Sequence, residues 1–157
     1  MLEFLGRVIG WLMPSVIKSI SARSRLKIIC GWGHEGNGDG VGNYLALWVK
    51  IINPTSSSIY FERLEAIDQS GNVFFPSLHR VKSGDEIHPQ RNIVGVIPCG
   101  HVTYKSRPKK LHVYDSTEQR YAVSRSMLRK VVAELEAERT RLESLNMSTH
   151  PTHPRPE

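Results

Sequence analysis

The sequence predicts a mainly β protein, a seven-stranded antiparallel sandwich with an amphipathic helix at its amino end and a second helix at its carboxyl end. Three observations predict it. Between Leu26 and Val123 the apolar residues fall in short runs rich in β-branched and aromatic side chains, and Gly, Asn, Asp, Ser and Pro separate these runs; that is the punctuation of strands and turns. On both sides of this block the apolar spacing becomes helical. A chain of 157 residues with 39% hydrophobic content is one ordinary domain plus appendages. The division that follows is a helix and linker over 1–24, a sandwich over 25–123, a helix over 124–147 and a disordered tail over 148–157.

In the first segment Glu3, Arg7, Gly10, Pro14 and Lys18 recur every three to four residues, while Leu5, Ile9, Trp11, Leu12, Val16 and Ile17 belong to the apolar surface of the same helix. The uncharged run from Val8 to Ile17 falls short of the roughly 20 apolar residues a membrane span needs. With Arg23, Arg25 and Lys27 directly after it, the segment instead suits an anionic membrane surface, where each basic residue contributes about 1 kcal/mol.

The seven strands are expected at Leu26 to Cys30, Tyr44 to Ile52, Ile59 to Ile67, Val73 to Phe75, Ile93 to Ile97, Leu111 to Tyr114 and Tyr121 to Val123. In the second, Leu45, Leu47, Val49 and Ile51 share a face, and Trp48 and Ile52 keep the other partly apolar, as in a central strand. In the third, Phe61, Leu64 and Ile67 break strict alternation, which a bulge explains. Asp68, Asp85 and Asp115 stand in turns, where a short carboxylate bonds nearby backbone groups. In the closing helix Leu128, Leu135 and Leu142 recur every seven residues with Val131 and Leu145 beside them, and Ser124 or Ser126 is the cap. That stripe packs on the sandwich, or joins a second copy through 124–147.

Gly31 to Gly36 matches G-x-G-x-x-G, but more glycines follow where the dinucleotide motif needs a helix, so the run reads as a loop between strands. Glu35 and Asp39 within it lack the ligand spacing of a calcium loop. Cys30 with His34 and Cys99 with His101 do not have zinc-finger spacing, and they read as core cysteines and surface histidines. His79, His88 and His112 are accompanied by no recognisable nucleophile, so the sequence points to no enzyme, no cofactor and no metal. Two cysteines in this length suit a reducing, cytoplasmic setting at the inner face of a membrane.

The formal charge of +6 favours anionic partners. Besides Arg23, Arg25 and Lys27, it concentrates in Lys105, Arg107, Lys109 and Lys110, flanked by Tyr104 and Tyr114, a pattern that suits phosphate contacts beside stacked bases.

The succession from Tyr44 to Pro54, then Ile59 to Leu64, Asp68 to Asn72 and Val113 to Thr117 resembles immunoglobulin-like or fibronectin-type-III-like domains of small bacterial or phage proteins. The resemblance covers Leu26 to Val123 and lies in strand order and turn placement. It implies protein binding or scaffolding. The leading expectation is therefore a non-enzymatic interaction domain, attached to a membrane by its first helix and holding a protein partner. The alternative is a soluble nucleic-acid-associated module that uses the basic cluster from Lys105 to Lys110.

Overall fold

Two antiparallel sheets and one helix share a single hydrophobic core in the computed structural model, which describes residues 26–36, 43–99 and 107–145. The strands are β1 (Lys27–Gly36), β2 (Asn43–Ile52), β3 (Ile59–Asp68), β4 (Val73–Phe74), β5 (Glu86–Ile87), β6 (Asn92–Pro98), β7 (Pro108–Asp115) and β8 (Arg120–Ala122), and the helix is α1 (Arg125–Ser144). The opening helix and the tail from 148 lie outside the described residues.

The first sheet has the order β1-β2-β6, so β2 is central, as its two apolar faces require. Leu45, Leu47, Val49 and Ile51 are completely buried on its inner face. The outer face is capped locally, with Tyr44, Ala46 and Val96 forming a small second cluster. The second sheet runs β4-β3-β7-β8, with β5 also paired to β3. Leu64 lies opposite Val113 and Ala66 opposite Leu111, so two buried cross-strand pairs turn this sheet's inner face to the core. The register of β3 shifts between Phe61 and Arg63, the bulge that its broken alternation predicts.

Two expectations about the strands need correction. There are eight among the described residues, because Glu86 and Ile87 pair with Tyr60 and Ile59. The run from Gly31 to Gly36 is not a loop: it continues β1, in unbroken register with Asn43 to Trp48 of β2. Glycine costs a strand side-chain packing and backbone entropy. Here it also makes room, since a Cβ at Gly31 would overlap the six-membered ring of the Trp48 indole. Gly95 does the same for the Leu78 side chain.

The helix follows β8 directly. Leu128, Val131, Val132, Leu135 and Leu142 are buried in the shared core, so the stripe read from the sequence packs on the chain's own sheets. Leu145 is more than half exposed and does not join it. Polar contacts fix α1 along β1: the Cys30 amide donates to the Met127 sulfur at 3.4 Å, the Trp32 indole donates to Glu134 at 3.1 Å, and His34 lies 3.5 Å from Glu138.

Candidate functional site

The amino-terminal half of α1 and the entry to β7 stand side by side and enclose a cleft of about 570 Å³. Arg107 and Lys109 line the cleft, whereas Lys110 does not; it is half-buried and paired across to Ile67. The helix supplies Arg125 and Arg129, four residues and therefore one turn apart on the same side. Gln69 from the β3–β4 turn, with Ser126, adds neutral polar groups, and Pro108, Val132 and Ala133 are apolar lining.

Four cations thus face one carboxylate. Glu136 is the acid in the lining, and its Oε1 lies 2.5 Å from Arg107 Nε. Among the described residues no carboxylate is within ion-pair distance of Lys109, Arg125 or Arg129. The first turn of α1 carries no acid, and Ser124 precedes it without a side-chain cap bond, its hydroxyl pairing instead with the Ser126 hydroxyl at 2.9 Å. Ser124 thus stands at the N-cap position as expected, but its side chain gives no bond to the first-turn amides. Charge, open helix end and concavity all select an anion.

The remaining sequence candidates are dispersed. Lys27 is exposed at the start of β1 and does not line the cleft. Leu5, Ile9, Trp11, Leu12, Val16, Ile17, Arg23 and Arg25, like Tyr104 and Lys105, lie outside the described residues. Tyr114 is not beside the cleft; its ring lies under the Arg63 guanidinium, 4.1 Å from centroid to carbon, and its hydroxyl donates to Glu65 at 3.2 Å. Stacking of bases on Tyr114 at this site is accordingly not available.

The groups singled out for metal or nucleophilic chemistry also have other partners. Cys30 is a buried free thiol whose pKa burial pushes up to about 11, so it is not a ready thiolate. Cys99 is buried as well, and His101 lies outside the described residues. Glu35 is held 2.6 Å from Arg80, Asp39 is outside the described residues, and His112 is buried 3.2 Å from Glu65. Among the described residues no group of three or more His, Cys, Asp or Glu side chains converges on one point, and no helix is long and apolar enough to cross a membrane. The G-x-G-x-x-G run is strand through Gly36, so its glycines open no helix there.

No protein-family model, curated protein or solved structure matches this chain.

Arg125 and Arg129 are the residues that reasoning from sequence missed. A usable signal was present: two arginines four apart, with no acid at the next equivalent step, Ala133.

Proposed function

We propose that the protein is a non-enzymatic binding module that holds the phosphates of a nucleic acid in the cleft between β7 and α1. One observation carries this reading, the convergence of Arg107, Lys109, Arg125 and Arg129 on a cleft with a single acid among the described residues. The β scaffold, immunoglobulin-like in the order of its turns, serves as the rigid mount. With Tyr114 engaged by Arg63 and Glu65, recognition rests on charge, so binding is indifferent to base sequence and strongly salt-dependent. Salt titration of binding to single-stranded DNA or RNA, followed by fluorescence anisotropy, tests it. The logarithm of affinity falls with a slope of about −0.7 per neutralised phosphate for single strands. The double charge reversal Lys109→Glu with Arg129→Glu flattens that slope and lowers affinity by at least about tenfold. Binding that ignores both salt and the double reversal refutes the proposal.

A membrane contact is a second reading, favoured by the exposure of Lys27 where β1 continues from the apolar segment and Arg23 and Arg25. Sedimentation with anionic vesicles tests it on the full chain. The intact protein pellets with the vesicles, and Ile9→Glu with Leu12→Glu leaves it in the supernatant.

A further inference from the structure

Resting on the phosphate-binding reading above, we infer that the ligand of the cleft is a strand end, a terminal phosphate on one nucleotide, which enters by replacing Glu136 at Arg107. Three features point that way. The first is size: about 570 Å³ accommodates one nucleotide, whereas a duplex cannot enter. The second is charge density. Three cations with no carboxylate partner among the described residues and one guanidinium in reach of Glu136 surround this small volume. An internal phosphodiester carries one negative charge, but a terminal phosphate carries about −1.5 to −2 at pH 7 and has three oxygens free to accept. Guanidinium forks and first-turn amides are complementary to such a group.

The third feature is Glu136 itself. Its Oε1 is buried, makes no hydrogen bond among the described residues and lies 2.5 Å from Arg107 Nε, so the carboxylate holds the guanidinium by charge alone. A carboxylate and a phosphate cannot share that position without like charges meeting, so ligand entry exchanges one anion for the other. Glu136 is thus a counter-ion beside the largely exposed Arg107 guanidinium, and it sets a threshold that a weakly charged ligand does not cross. Lys109, Arg125 and Arg129 supply the extra attraction by which a doubly charged phosphate does.

The experiment compares the 5′-phosphorylated, 3′-phosphorylated and unphosphorylated forms of one short single-stranded DNA against the full-length protein by fluorescence anisotropy at fixed salt. At least one phosphorylated end binds about tenfold more tightly than the unphosphorylated strand, and this ratio shrinks below about pH 6 as the phosphate takes up its second proton. Glu136→Gln tightens binding of the phosphorylated strand, because no carboxylate then has to leave Arg107. Arg129→Gln and, from the other wall of the cleft, Lys109→Gln each lower the ratio; circular dichroism reports that each variant is folded, and two walls keep the test open if one variant is not. Equal binding of all three strands overturns the strand-end inference and leaves the phosphate-binding reading standing. Absence of binding by every strand overturns both. Weaker binding of the phosphorylated strand by folded Glu136→Gln shows that Glu136 orients Arg107 for the ligand, and overturns the exchange.

Discussion

At the β7–β8 turn one carboxylate meets four donors; at the cleft four cations meet one carboxylate. Asp115, buried at 5% exposure, accepts from the Thr117 amide at 2.9 Å, the Thr117 hydroxyl at 2.6 Å, the Gln119 amide at 3.0 Å and the Tyr121 hydroxyl at 2.8 Å. Both carboxylate oxygens there accept within the chain, three bonds at Oδ1 and one at Oδ2. Around Arg107, Lys109, Arg125 and Arg129 the demand for negative charge exceeds what Glu136 provides. A polar cluster that is internally satisfied stabilises one conformation. One that is not satisfied leaves free energy to be gained from a partner, and this is why the turn is assigned to folding and the cleft to binding.

The largest effect expected from breaking this contrast is on the satisfied side. Asp115→Ala leaves the Tyr121 hydroxyl and two backbone amides without their acceptor, and costs about 2–4 kcal/mol of stability in denaturant unfolding. The same site gives a pH signature. Burial on its own would raise the Asp115 pKa, but bonds from Thr117, Tyr121 and Gln119 outweigh it and hold the carboxyl below its ordinary value. A folded pKa below the unfolded one means that the contribution is complete above the ordinary carboxylate range and is lost as pH falls through the folded value. Unfolding measured from about pH 5 downward therefore steepens below about pH 4, and Asp115→Asn makes that limb shallower. A variant with an unchanged acid limb removes Asp115 from the account. The Tyr121 hydroxyl moves the opposite way, its pKa raised by burial and by the adjacent carboxylate.

The Asp115 turn was legible in the sequence, and so were its relatives. Asp68 accepts from the Asn72 amide at 2.8 Å and Asp85 from the Lys82 amide at 2.8 Å, both local bonds of the kind that residue type and neighbours dictate. The buried face of β2 was legible for the same reason, since alternation is a property of adjacent residues. The pairs Lys130–Glu134 and Arg139–Glu143, each at 3.9 Å, also follow from spacing along one helix. What depends on distant partners was not legible. Half of the cleft, Arg107 and Lys109, stood out as a basic cluster; the other half is brought to it only by the packing of α1. The second half of β1 has the local signature of a loop in Gly31, Gly33 and Gly36, and nothing nearby in sequence indicates that Trp48 requires the space.

Gly31→Ala probes that long-range fit, and its effect is intermediate. The added methyl meets the Trp48 ring rather than a flexible chain end, so the indole or the β1 backbone has to shift. Overpacking of this kind costs about 1–3 kcal/mol. Trp48→Leu in the same background relieves the overlap and recovers part of the loss, measured as a double-mutant cycle. Additive losses would mean that glycine at this position does not serve the ring.

The smallest expected effect sharpens the contrast most, because its sign differs from the usual one. Arg125 and Arg129 are like charges one helical turn apart, and no carboxylate among the described residues pairs with either. Repulsion between such neighbours destabilises a helix by about 0.2–0.5 kcal/mol. Arg129→Gln is therefore expected to raise unfolding stability by a few tenths of a kcal/mol while it weakens binding to phosphate. A residue that lowers the stability of the free protein and strengthens a complex is retained for the complex. Should Arg129→Gln instead lose 1 kcal/mol or more of stability, as a residue engaged in folding contacts would, the cleft would belong with the Asp115 turn.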